Sequence, residues 1–137
     1  MCNIKLETYN EIIDKIGNAP IESGGILGMK NDVICAFFYD ENAKTSCDTY
    51  IPDIASLNEV IKNWNRQGVK FVGIVHSHAN GYDKPSHNDE LYAKKLLEHN
   101  SSLEFLIFPI LTIYKGKKKL SCYEYANGFI AKEMTVK

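Results

Sequence analysis

The segment HSHANGYDKPSHND, His76 to Asp89, holds two histidines one residue apart, followed by a serine and an aspartate three positions apart. In a strand, residues i and i+2 project to the same face, so His76 and His78 would present two imidazoles side by side while Ser77 points away. Two imidazoles make a bidentate metal chelate that lacks a third donor. Asp89 can supply a carboxylate, brought back by the seven residues between His78 and Ser86 and by the first turn of a following helix. Two histidines and one carboxylate suit zinc and leave the fourth tetrahedral position to water, which is the arrangement a hydrolase needs.

The same residues have a second reading. Ser86-His87-Asn88-Asp89 has the S-x-x-D form of a capping box, with Pro85 fixing the approach of the chain, and by residue type alone the cap is favoured for Ser86 and Asp89. A hydrolytic zinc site also needs a base for the proton of its water, and PIESGGILG offers Glu22 at the entrance of an apolar, glycine-rich strand. A lone carboxylate before a strand reads equally as a solvated edge residue.

These positions must be carried by secondary structure. In ETYNEIIDKIGN, Tyr9, Ile12, Ile13 and Ile16 recur at helical spacing, and Gly17 or Asn18 is expected to supply a left-handed stop. GGILGMKNDVICAFFY reads as a hairpin turning at Asn31 and Asp32. Tyr39 to Thr49 reads as polar and irregular. Pro52 and Asp53 introduce a second helix through Ile54, Leu57, Val60, Ile61 and Trp64, stopped near Gly68. VKFVGIVHSH, apolar until it turns polar, predicts a central strand that ends at the histidines. Ser86 to His99 predicts a third helix with Leu91, Leu96 and Leu97 toward the core. LEFLIFPILTIY, KLSCYEYA and FIAKEMTV predict three strands, with turns at Lys115 to Lys118 and at Asn127-Gly128. Trp64, Tyr9 and the phenylalanines of CAFFY and LEFLIF are assigned to packing. The expectation is one α+β domain over 1–137 with a mixed, largely antiparallel sheet.

The bulk properties limit the partners. With 16 Lys plus Arg against 17 Asp plus Glu, the net charge is -1, so no global field favours nucleic acid or a membrane surface. The longest apolar run is broken by Pro109, carries Glu104 and falls short of a membrane span. Cys2, Cys35, Cys47 and Cys122 are scattered, with no C-x-x-C spacing and no secretory leader ahead of them, so a reduced cytoplasmic setting is expected. KGKKK sits where two strands turn and reads as solvated lysines. His99 suits a helix C-terminus. His87, beside Ser86, reads as a surface residue, with contact to substrate or metal as the lesser reading. Cys47 could offer a thiolate to the fourth zinc position, again as the lesser reading.

Taken together, His76-Ser77-His78, seven residues, Ser86, two residues and Asp89, preceded by a glutamate in a P-x-E-x-G-G-I-L context, resemble the JAMM motif of the MPN/JAB metalloprotease family. The resemblance implies a compact MPN fold, a curved sheet layered between helices in the α/β/α manner, across nearly the whole chain. It further implies one zinc ion per chain held by His76, His78 and Asp89, with Glu22 as general base and proton shuttle and Ser86 as hydrogen-bond donor to the oxyanion. Met29 stands where the common bacterial version closes its glycine stretch, and Ala79 where proline or threonine is frequent. The implied reaction is cleavage of a peptide or isopeptide bond after the extended, Gly-rich tail of a ubiquitin-like or sulfur-carrier protein. Hydrolysis of small peptides or amino-acid conjugates, and a non-catalytic scaffold, are the alternatives. The strand after Glu22 is expected at the sheet edge, open to pairing with a substrate tail, with Gly24, Gly25 and Gly28 clearing the path.

Overall fold

The computed structural model describes residues 2–19, 22–41, 43–46, 49–51, 54–78 and 81–137. The expected positions Cys47, Pro52, Asp53 and Ala79 lie outside the described residues, as does the side chain of Ile54. The elements are β1 (Cys2–Ile4), α1 (Leu6–Gly17), β2 (Gly24–Lys30), β3 (Val33–Tyr39), β4 (Lys44–Ser46), β5 (Thr49–Ile51), α2 (Ile54–Arg66), β6 (Lys70–His78), α3 (His87–Glu98), β7 (Leu106–Ile107), β8 (Ile110–Tyr114), β9 (Lys117–Tyr125), β10 (Phe129–Lys132) and β11 (Met134–Val136).

Among the described residues, nine strands form one mixed sheet in the order β10-β9-β7-β6-β2-β3-β1-β11, with β8 pairing both β6 and β9. The outermost strands, β10 and β11, are consecutive in the chain and separated by Glu133 alone. Two sheet edges joined by one residue can exist only if the sheet curls round on itself, the curvature that the family resemblance implied. Helix α1 packs Ile12 and Ile16 onto one face with Ile4, Leu27, Ile34, Val75 and Leu111. On the other face, α2 and α3 bring Leu57 and Ala93 against Ile26, Phe71, Ile74, Phe108 and Ile110. The order is therefore the layered α/β/α arrangement, and the halves of the core are separated by the sheet.

Strand parity along β6 decides where the histidines point. The pairing of β2 with β6 shifts register between Leu27 and Gly28, which lie opposite Gly73 and Phe71, so Val72 is an extra residue. A bulge of this kind reverses parity, and it places Phe71, Ile74, His76 and His78 on the α2/α3 face while Val75 and Ser77 face α1. β6 is buried from Phe71 onward, as expected of a central strand. The turn residues Asn31 and Asp32 have φ 54° and 63°, Gly68 has φ 77°, and Lys115 and Gly116 have φ 51° and 79°, so these three predicted turns are present.

Several expectations are corrected. β2 is not an edge strand, because it is paired with β3 on one side and β6 on the other, and its backbone is closed to a substrate tail. A Cβ at Gly25 would stand 2.1 Å from the Phe38 carbonyl oxygen, and one at Gly28 would stand 2.5 Å from Val69, so these glycines serve close internal packing. Tyr39 to Thr49 was read as irregular, yet Lys44–Ser46 pairs with Thr49–Ile51 in the two-stranded β4-β5 ladder, and β1 had no counterpart in the reading. Leu91 is 54% exposed, and fully buried Ala93 takes the core-facing position. The reason is that α3 is oriented by Asp89, so the inward stripe runs through Asp89, Tyr92, Ala93 and Leu96. Phe105 is exposed and outside both core clusters. Neither Gly17 nor Asn18 is left-handed; Asn18 closes α1 at φ −106° with its amide donating to the Asp14 carbonyl at 2.9 Å. The two longer apolar segments each split, at Phe108-Pro109 and at Glu133.

Candidate metal centre

The two histidines end β6 where it leaves the core. Gly24 lies opposite His76 in the ladder, and Ser77 extends the seam beyond it. Its amide donates to the Ser23 carbonyl at 2.9 Å, and the Ser23 amide donates to Ser77 Oγ at 3.2 Å. Ser77, which points away from the histidines, thus pins the residue next to Glu22. Glu22 itself has φ 65°, in the left-handed region that costs a residue with a Cβ of order 1 kcal/mol. Strain of this kind at a buried carboxylate marks a side chain whose direction matters more than its backbone comfort. Carboxylate and ring nitrogens from Glu22, His76 and His78 lie within 4.8 Å of one another.

Asp89 completes the group from the first turn of α3. Its Oδ1 is 3.2 Å from His76 Nε2 and its Oδ2 is 3.1 Å from His78 Nε2, and the two Nε2 atoms are 2.8 Å apart. Three donors held at tetrahedral bond lengths to zinc would be separated by about 3.3–3.4 Å, so these donors need to move by only a few tenths of an ångström to accept the ion. The donor set fits. The capping box is also present: Ser86 Oγ accepts from the Asp89 amide at 3.1 Å, and Asp89 Oδ2 accepts from the Ser86 amide at 2.8 Å. Cap and ligand were posed as alternatives by residue type, and one carboxylate both caps α3 and meets the two imidazoles.

Outer contacts fix the imidazoles. His78 Nδ1 lies 3.1 Å from the Tyr82 carbonyl, which selects the tautomer leaving Nε2 for a ligand role, and its ring stacks on Tyr82 at 5.7 Å. His76 packs edge-on against Phe108 at 5.1 Å. The loop carrying Tyr82 is tied to β9, where Tyr123 donates to the Asp83 carbonyl at 2.6 Å and Lys119 pairs with the Asp83 carboxylate at 3.1 Å. Tyr82, Ser23, Ser77 and Tyr123 escaped sequence reasoning; for Ser77 the strand parity was a usable signal, whereas the Tyr123 contact spans 40 residues and had none.

Burial and charge separate the two histidines. Burial holds His76 below its ordinary 6.5, and the hydrogen bond and charge of Asp89 recover only part of that. Burial also lowers His78, but the hydrogen bond and charge of Asp89, the charge of Glu22 and the Tyr82 carbonyl outweigh it and raise the ring above 6.5. Burial disfavours the Asp89 carboxylate, yet hydrogen bonds from both imidazoles more than compensate and hold its carboxyl well below the usual range. The site thus keeps an ionised carboxylate and a cation-seeking pocket at neutral pH. His87 is exposed in the first turn of α3, and His99 caps its end with Nδ1 2.8 Å from the Lys95 carbonyl, so both are surface residues as expected.

An α/β/α domain with a histidine pair at a strand end, a returning aspartate and a glutamate opposite defines the MPN class of fold and site. Residues 8–123 match the family described as prokaryotic homologs of the JAB domain, and the chain belongs to that family. Its fold is similar to a protein of Desulfitobacterium hafniense solved in solution, at 19% identity and TM-score 0.79 over 100% of this chain and 93% of that one. It is similar as well to the crystal structure of a JAB1/MPN domain protein from Archaeoglobus fulgidus, at 19% identity and TM-score 0.62 over 98% and 97% of the two chains. No curated protein matches the sequence.

Proposed function

We propose that this protein is a zinc-dependent amide hydrolase that cuts a peptide or isopeptide bond after the extended C-terminal tail of a ubiquitin-like or sulfur-carrier protein. The observation that carries the reading is the convergence of His76 Nε2, His78 Nε2 and the Asp89 carboxylate within 2.8–3.2 Å, with Glu22 in the same buried cluster. His76, His78 and Asp89 would hold the zinc, and Glu22, in the same buried cluster, would act as the base. Asp89 is preferred over Glu22 as the third ligand because each of its oxygens already meets an Nε2 atom. A bound zinc would supply a Lewis acid that acidifies water and polarises a carbonyl.

The chain's own residues supply the rest. The Glu22 carboxylate takes the proton from the attacking water and delivers it to the leaving nitrogen, which an amine needs to depart. Ser86 Oγ accepts from the Asp89 amide through a lone pair, so its O–H proton stays free to donate to the oxygen that gains charge, worth roughly 3 kcal/mol in such sites. Asp89 and the Tyr82 carbonyl hold the rings in place throughout.

Burial supports a slim substrate. Glu22 and His78 are 6% and 7% exposed, which favours glycine, the residue with least bulk, on the acyl side of the cut bond. The interior position of β2 favours a second reading, hydrolysis of small peptides or conjugates including release of an amino acid from a sulfur carrier, since that strand cannot align a tail by pairing. A panel of fusions with Gly-Gly, Ala-Ala or Leu-Leu before the bond, beside bare peptides of the same sequences, separates the readings. Faster cleavage of the Gly-Gly fusions supports tail selection, bare peptides cut as fast as fusions support the small-substrate reading, and no cleavage of any member by the zinc-loaded protein leaves only a scaffold.

A further inference from the structure

In the core cluster on the α1 side of the sheet, Cys2 of β1 and Cys122 of β9 meet in a small cavity of about 200 Å³, lined also by Met29, Ile107, Glu124 and Lys132. Both cysteines are free thiols and both are 5% exposed. Their meeting is a product of the curl. Cys122 lies opposite Lys132 of β10 and Cys2 lies opposite Met134 of β11, so the two thiols flank the single residue, Glu133, that joins the sheet's outer strands. The Cys2 amide donates to the Glu133 carbonyl at 2.9 Å, which fixes β1 against that bend.

We propose that Cys2 and Cys122 form a reversible disulfide across the seam of the curled sheet, with a peroxide as the oxidant that installs it. The thiols are unequal. The hydrogen bond that Cys122 Sγ–H donates to Cys2 Sγ holds Cys2 below the ordinary thiol value, against the opposing effect of burial, while the same bond pushes Cys122 up. The Tyr123 carbonyl, 3.9 Å from Cys122 Sγ, is a weak competitor for that proton. Cys2 is therefore the nucleophile. Its thiolate attacks one peroxide oxygen, the O–O bond breaks, Cys2 becomes a sulfenic acid, and the departing hydroxide takes up the proton that the Cys2 thiol released, giving the first water. Cys122 sulfur then attacks Cys2 sulfur, the S–O bond breaks, and the departing hydroxide takes the Cys122 proton as a second water. Two thiols and one hydrogen peroxide give one disulfide and two waters.

The bond would close a loop spanning positions 2 to 122, nearly the whole chain. A link of that length removes much of the freedom of the unfolded state, so oxidation should harden the fold.

The test uses the full-length Cys35→Ser, Cys47→Ser protein treated with slight molar excess of hydrogen peroxide. Both remaining thiols should disappear together, the intact mass should fall by about 2 Da, and the cross-linked peptide should pair Cys2 with Cys122. The melting temperature should rise by roughly 10 °C and return after dithiothreitol. Adding Cys122→Ser should stop the reaction at a sulfenic acid on Cys2 that dimedone traps. If the double variant folds poorly, peptide mapping of the oxidised wild-type chain gives the same reading. Thiols that persist under peroxide, oxidation to sulfinic or sulfonic acid without the 2 Da loss, or a link only between chains would each overturn the proposal.

Discussion

Glu22 shows what the sequence could and could not reveal at the level of single residues. Its place beside the histidines was legible because it precedes a glycine-rich strand in a motif with His76, His78, Ser86 and Asp89, but its left-handed backbone was not, since propensity argues against it. The histidine pair was legible from strand parity alone. The double contact of Asp89 was not, because one carboxylate can cap α3 and meet the imidazoles only when α3 docks at this distance from β6. Glu22→Gln should keep the metal and lose most turnover, because the amide is nearly isosteric yet cannot accept the proton. Turnover within a few fold of wild type, measured on the best fusion substrate, would remove Glu22 from the mechanism. The histidines give a pH-dependent prediction. At pH 6.5 the metal-free site carries a proton on His78, raised above 6.5, in more than half of the molecules and on His76, lowered beneath it, in fewer than half, while Asp89 is already ionised. Zinc uptake at that pH should release about one proton, read by calorimetry in buffers of different ionisation enthalpy. Release of two, or of none, would mean that the histidines are not separated in this way.

At the level of elements, α3 and the loop before it are organised around the site rather than around the core. Helical periodicity put Leu91 inside, because periodicity ranks faces by apolarity and cannot see that Asp89 anchors the helix to two imidazoles. Ser86→Ala should cost about 1 kcal/mol of stability through the lost cap and lower activity as well. Equal activity at reduced stability, by denaturant melts and initial rates, would leave Ser86 as a cap only. Tyr123→Phe removes the hydroxyl that holds Asp83 and so loosens the Tyr82 carbonyl on His78. A net hydrogen bond is worth about 1 kcal/mol, so zinc affinity should fall by roughly fivefold in a chelator competition. A variant that loses stability but binds zinc as tightly as wild type would show the contact to be packing alone. The interior place of β2 was likewise hidden, although its unbroken burial from Gly24 to Gly28 is the pattern of a strand covered on both faces.

For the whole molecule, composition, element types and the mixed sheet were readable, whereas the closure of the sheet at Glu133 depends on pairings between chain ends that local patterns do not encode. β2 and β6, whose ends carry the site, lie inside that sheet and pack against α1 on one face and α2 and α3 on the other. A site preorganised to this degree should bind zinc in the folded state only, so metal should raise the melting temperature, by the equivalent of about 2.7 kcal/mol at a hundredfold excess over the dissociation constant. The most direct measurement is zinc content after exhaustive dialysis of the wild type and His78→Ala proteins. The structure predicts one equivalent per chain for the wild type and a large loss in the variant. Less than about a tenth of an equivalent in the wild type, unresponsive to added zinc, or equal zinc in both proteins, would contradict a metal centre at these residues.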